Sequence, residues 1–518
     1  MSSGARTRPL RACTRPLQPP RMAARVNEKG EPMRKFSLIA GSAAAALLAF
    51  AAVALTAPSN DDELLKDEKH FLQQSQKRYQ GGNRAGSALN MVAVGHNSIG
   101  GRGFNADVWV HKGYAYVGHW GFTDWANGSK TRFCPQPPNN GVAVIDARNP
   151  ANPVLISKLQ NPNGTSAEDV VVYTARSGPL AGRDIAAAGI QVCGGSRYDA
   201  SIPRGLMLWD VTVPASPAQI GFLSFGCCTR GLHEFEIEYR PDLGKTFAYA
   251  TDPTAEEPDD ESPTGREDQQ GRGPFRLIDI TDPRNPQLVS HWGFLTRGVV
   301  PAAGQGCDAD GLYGHGAEPS EDGKLVFLSY WDSGFVAIDV TNPANPVFKG
   351  RAVYPANADG DGHSSNYDDE RRLLYSADED FCKSSGAGIE KGFGYLRVWD
   401  YSNLAAPRQI GEYRTPNSLG TDDQAAGDYT IHNPFYVPSE ETVYASWYTD
   451  GVRVIDVSNP RAPREVAYFV PPAGENPVKP NQRFVLPSTT QVWGVVVDNG
   501  LVYASDMNTG LWILKRTR

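Results

Sequence analysis

The sequence predicts an all-β fold, a seven-bladed β-propeller closed by an N-terminal strand that completes the last blade. Three observations carry this prediction. One motif recurs six times at near-regular spacing, each period holds four strand-like pieces, and the chain stops three strands into a seventh unit. A period of this length with variable inserts marks a repeat architecture, and four strands per unit mark propeller blades. The composition agrees: 53 Gly, 39 Pro and 10% aromatics suit a turn-rich β protein.

The chain begins with an Arg- and Pro-rich stretch, residues 1–32, read as a non-native or upstream extension ahead of Met33. Residues 33–57 open on Met33-Arg34-Lys35 and continue uncharged from Phe36 to Ala57. A short basic region before an Ala/Leu-rich run is the pattern of a secretory signal, with Ala52-Val53-Ala54 as its small-residue cleavage site. An uncleaved run of that length would instead anchor the chain in a membrane, its one expected membrane contact. Either way the remainder is expected outside the cytoplasm: extracellular, periplasmic or on the cell surface. Residues 58–87 are polar and read as a linker. The propeller is assigned to residues 88–518, and a monomer is expected.

The motif is seen at Gly451–Pro463, GVRVIDVSNPRAP, and again from Gly141, Gly205, Phe275, Gly334 and Tyr395. Its central aspartates are Asp146, Asp210, Asp279, Asp339, Asp400 and Asp456, spaced 64, 69, 60, 61 and 56 residues apart. A seventh copy from Gly510 carries Lys515 in that place. An Asp before a turn bonds backbone amides two residues on, and the prolines that follow (Pro150, Pro283, Pro343, Pro460) end a strand by removing a donor. A part needed six times is structural, so these aspartates are not site residues. The same reading covers Asp252, Asp332, Asp378, Asp450 and Asp506, which follow the second strand of their units. Strand patterns precede the motif (Asp107–Val110, then Tyr114–Val117) and follow it (Val154–Leu159). The segment Leu89–Val94 has no partner of its own and is expected to pair with the last unit, removing an open edge.

The G-x-x-x-I-D-V-x-N-P-x-x-P run resembles the LVIVD-repeat family of bacterial extracellular propellers. Copy two has Val213 for Asn, copy five has Leu404 for Pro, and copy seven lacks the aspartate. The resemblance implies fold and export and little chemistry, so a site must be argued separately.

The inner strand of each blade lines the axis, and its first residue sits at one mouth. Those positions read Asn105, Glu168, His233, His315, His363, His432 and Trp493 around the ring. His96 is expected on the same face, with Asp169, Glu234 and Glu318 nearby. Imidazole suits Zn, Cu and Fe, so His233, His315, His363 and His432 are candidate transition-metal ligands. The arrangement is similar to that of carotenoid oxygenases, which place iron on four histidines, and of selenium-binding proteins. No other motif of either family is present.

Asn357, Asp359 and Asp361 before Gly362, with Asp368 at the twelfth position, have the oxygen spacing of a calcium loop, against the alternative of a Gly/Asp-rich turn. Six cysteines follow the signal: Cys134, Cys193, Cys227, Cys228, Cys307 and Cys382. All fall in loops of one face and read as disulfides, with connectivity open and Cys227 and Cys228 expected to pair elsewhere than with each other. The insert Pro253–Arg272 is acidic enough to predict disorder. Net charge is −8 with no basic run in the mature region, which excludes nucleic acid. No nucleophile elbow, zincin helix or phosphate loop occurs. The leading expectation is therefore an exported, non-enzymatic scaffold that binds a protein, glycan or small ligand on its loop-rich face. The alternative is a metal-dependent oxidoreductase built on the histidines.

Overall fold

In the computed structural model, residues 86–518 are described except 124–131, 196–198, 228, 257–272, 304–310, 382–388, 421–426 and 475–488. The chain is a seven-bladed β-propeller of antiparallel blades in sequence order. Blade one runs outward through Asn105–His111, Tyr114–His119, Val142–Asp146 and Val154–Leu159, and blades two to six repeat it. Blade seven takes Val492–Asp498, Leu501–Asp506 and Gly510–Arg516 from the end of the chain and Met91–Asn97 from its beginning.

The closing strand, Met91–Asn97, starts two residues later and ends three residues later than the expected Leu89–Val94. Leu89 is not part of it. Ser87–Leu89 forms a separate short strand on the outer edge of blade six, pairing with Arg464–Val470. Asn90, with φ 53°, breaks the chain between the two. The first strand therefore ties two blades together. Other residues of the acidic insert depart from expectation as well. Pro253–Ala255 is a 3-10 turn, and Glu256 accepts the amides of Phe294, Leu295 and Thr296 at the start of the short helix Phe294–Arg297. The rest of that insert, from residue 257, lies outside the described residues.

The middle strands of each blade are buried over nearly their whole length, while the outer strands are mostly exposed or half-buried. The core therefore sits between neighbouring blades. Tyr116, Val144, Val170, Ala188 and Met207, for example, pack the first blade on the second.

Each motif aspartate accepts the amide two residues on, from Asp146 with Arg148 to Asp456 with Ser458. The motif proline has a second task. Its carbonyl abuts the outer strand of the preceding blade. Ser157 and Ser290 donate to the carbonyls of Pro214 and Pro343 at 2.5 Å. At Gly95, Gly221 and Gly411 a Cβ would lie 1.9–2.0 Å from the carbonyls of Pro150, Pro283 and Pro460. The strand also bulges here, for example opposite Val454/Ile455 and Leu208/Trp209. The repeat thus spaces the blades as well as shaping them. Three of the second-strand aspartates pair with a third-strand arginine: Asp252 with Arg276, Asp378 with Arg397 and Asp450 with Arg453. They are structural, as expected, but as buried ion pairs more than as turn makers. Among the described residues no helix is long and apolar enough to cross a membrane.

Candidate functional site

Four of the ring histidines converge. His233, His315, His363 and His432 are buried, and their rings follow one another at centroid separations of 4.3, 3.7 and 4.3 Å, with Trp493 another 4.4 Å on. Local structure aims them. His233, His315 and His432 sit two residues ahead of an inner strand, each donating its backbone amide to the facing second strand. His363 and Trp493 instead occupy bulges, between Gly362 and Ser364 and between Val492 and Gly494. Bulges re-aim side chains beside sites.

These rings line a cavity on the axis with a water-accessible volume of about 70 Å³, walled by Trp120, Tyr313, Trp331, Phe381, Tyr448 and Trp493. Several walls share an origin that the sequence reading missed. Trp120, Trp331, Glu379 and Tyr448 are each the residue immediately after a second strand. Aligning the units on the ends of their second strands would have found them. Trp331 and Tyr448 hold φ values of 31° and 32°, strained for bulky side chains. Strain of this kind collects at sites.

The hydrogen bonds divide the histidines into two pairs. Nδ1 of His315 lies 3.1 Å from the His363 carbonyl, and Nδ1 of His432 lies 2.7 Å from the Trp493 carbonyl. A carbonyl only accepts, so both Nδ1 atoms carry the proton and both Nε2 atoms present a lone pair. Nε2 of His233 is 2.6 Å from Nε2 of His315 and must supply the proton between them. His233 Nδ1 is then an acceptor, and the Gln191 side-chain amide lies 2.8 Å from it. Glu168, fully buried, brings Oε2 to 2.5 Å from the same nitrogen. Burial pushes the Glu168 carboxyl up to about 8, against the pull of Arg230, so it holds its proton at neutral pH. A directed pair results: His233 donates to His315, and His315 to a carbonyl.

The other pair is arranged as metal ligands would be. Glu379 has Oε2 at 3.4 Å from His363 Nε2 and Oε1 at 3.8 Å from His432 Nε2. Ligands on one ion at 2.0–2.2 Å stand about 3.4 Å apart in a tetrahedral set. His432 Nε2 has no hydrogen-bond partner. Tyr448 donates its hydroxyl to Glu379 and holds it in place. Burial holds His432 down to about 3, and His233, His315 and His363 well below the usual range. All four therefore stay neutral, the form that binds metal. A second set, Glu234, His315 and His363, has ligand atoms within 4.8 Å of one another, with Glu234 only half-buried.

The remaining predicted residues fall elsewhere. His96 lies on the outermost strand of blade seven, exposed and stacked on Trp512, because the closing strand is the rim of its blade. Asn105 is on the ring but bound to Arg102 and to the Asp506 and Met507 carbonyls. Asp169, Glu234 and Glu318 line a second cavity further along the axis. The candidate calcium loop is not assembled. Gly362–Asp368 is an extended inner strand, so Asp368 stands about 20 Å from Gly362, beside Arg371, rather than near Asp359 and Asp361.

Cys134 and Cys193 form a disulfide, with Cα atoms 5.0 Å apart, joining corresponding loops of blades one and two. Cys227 is disulfide-bonded as well. Cys228, Cys307 and Cys382 lie outside the described residues, and with them the expected separation of Cys227 from Cys228.

No curated protein matches the chain. Among solved structures it is similar to a catalytically inactive virginiamycin B lyase from Staphylococcus aureus, crystallised with quinupristin. The identity is 8%, over 83% of this chain and 99% of that one, with a TM-score of 0.44. A score that low supports no reading of the site. The LVIVD repeat family model matches residues 102–123, the inner hairpin of blade one, and residues 322–353, the outer three strands of blade four. The chain is thus a seven-bladed β-propeller that carries LVIVD repeats.

Proposed function

We propose that the propeller is a metal-dependent oxidoreductase. One transition-metal ion, iron(II) the first choice, sits on His363, His432 and Glu379. Two histidines and a carboxylate with open positions suit non-haem iron. The carrying observation is the unpartnered Nε2 of His432, its lone pair facing Glu379 beneath an aromatic-walled cavity. The bound ion would supply the redox chemistry. The aromatic walls would hold a small apolar substrate and keep bulk water out.

Elemental analysis of the purified protein tests this reading. About one ion per chain is expected, lost in His432→Ala and Glu379→Ala and kept in His233→Ala. No metal above background in the unaltered protein would remove it.

A second reading, a binding scaffold for a protein, glycan or small ligand, is favoured by the Cys134–Cys193 disulfide, which braces loops of the same face. The disulfides and the signal-like residues 33–57 also support export in either reading.

A further inference from the structure

The aromatic cavity beside the proposed metal ligands is small. Its water-accessible volume of about 70 Å³ is roughly half that of a dry cavity that encloses benzene, about 150 Å³. At the same packing about three carbon atoms fill it, so a slim chain enters where a ring does not. Trp120, Trp331, Phe381 and Trp493 line it, and each keeps 5–6% of its surface exposed.

The cavity also carries a fixed cation. Arg230 lines it and is only half-buried. Its guanidinium carbon lies 5.6 Å from the centre of the Trp120 ring, within cation–π range. After burial itself, its charge acts on other groups of the cavity, pulling the Glu168 carboxyl down and helping to hold His233 and His315 neutral. The backbone is held on both sides. The Arg230 carbonyl accepts the Val192 amide, and Gly231 bridges to Gln191. One residue earlier, Thr229 donates its hydroxyl to Asp252, and its carbonyl accepts from Arg204.

Among the described lining residues Arg230 is the one cation, because the four histidines stay neutral. Glu168 holds its proton at neutral pH, and a divalent ion on Glu379 would more than offset that carboxylate. The field therefore favours an anion while the walls favour a hydrocarbon. An arginine offers five N–H donors in a fork that matches a carboxylate. We infer that the cavity takes a short-chain aliphatic carboxylate, its head on Arg230 at the rim and its chain among the aromatic rings. As a substrate class this rests on the oxidoreductase reading; binding through Arg230 does not.

Calorimetric titration of the purified full-length protein with butyrate, 1-butanol and benzoate tests the inference. Butyrate is expected to bind once per chain. It should bind roughly tenfold or more tightly than 1-butanol, which lacks the charge, and than benzoate, whose ring exceeds the volume. Arg230→Gln should weaken butyrate by roughly tenfold or more and leave the metal content unchanged. Arg230→Lys, which keeps the charge, should lose less. His432→Ala, expected to lose the metal, should keep butyrate affinity to within roughly tenfold. Butanol or benzoate as tight as butyrate, equal losses in the two Arg230 variants, or butyrate lost in His432→Ala and kept in Arg230→Gln would overturn it. Absence of metal from the unaltered protein would remove the oxidoreductase reading and leave an Arg230-dependent butyrate site standing.

Discussion

Protonation at the axis follows from which atoms each imidazole meets. Two backbone carbonyls set the tautomers of His315 and His432, and the Gln191 amide meets the acceptor nitrogen of His233, with Glu168 beside it. The pH response of the metal-free protein should show this. Glu168 has its carboxyl raised to about 8. The folded state binds that proton more tightly than the unfolded state, so its stability contribution is full below about 4.5 and is lost as pH rises toward 8. The histidines act in the opposite sense. With His432 held down to about 3, their contribution is present above about 6.5 and is lost as pH falls. Stability should therefore peak near neutrality. Glu168→Gln should remove that loss between about 4.5 and 8, raising the urea midpoint at pH 8 more than at pH 6. Equal shifts at both pH values would mean that Glu168 is ionised in the fold.

At the scale of strands, the packing of proline carbonyls on the preceding blade is the feature most open to a point mutation. A Cβ at Gly411 would lie 2.0 Å from the Pro460 carbonyl, with backbone on both sides. Gly411→Ala should cost about 1–3 kcal/mol by overpacking, read as a lower urea midpoint. Ser157→Ala, which only loses a hydrogen bond to Pro214, should cost about 1 kcal/mol. If Gly411→Ala were the milder of the two, the carbonyl contact would not be setting the blade spacing. Bulges act at the same scale on the site. One extra residue at His363 and at Trp493 turns those side chains into the cavity, where regular alternation would not.

Ring closure governs the molecule as a whole. Met91–Asn97 covers the exposed edge of Gly510–Arg516, and Ser87–Leu89 extends blade six. A chain beginning after Asn97 leaves blade seven with an unpaired edge, which invites edge-to-edge pairing. Such a truncation should elute as oligomers in size-exclusion chromatography and lose its single cooperative thermal transition. The Cys134–Cys193 bridge, closing 59 residues, adds about 4 kcal/mol in the chain-entropy account.

By itself the sequence determined the blade count, the closing strand and the four axial histidines. These are written in a local, repeated pattern: an Asp two residues before the amide it accepts, prolines that stop a strand, and a fixed step from each inner strand to the next. Glu168 was legible by the same alignment. Misplacements occurred where position depends on more than the repeat. His96 belongs to the outermost strand, and Asp368 is carried away by an extended strand that a loop motif in the sequence does not exclude. Glu379, Tyr448 and Trp331 went unnoticed because they follow second strands, where the units share only an aspartate. Which nitrogens face one another was decided by tertiary structure alone. A tautomer is set by the carbonyl of a neighbouring blade, and a metal-like set needs His363, Glu379 and His432 from two blades at one point. Residues separated by 69 positions meet only when blades five and six pack side by side at the axis.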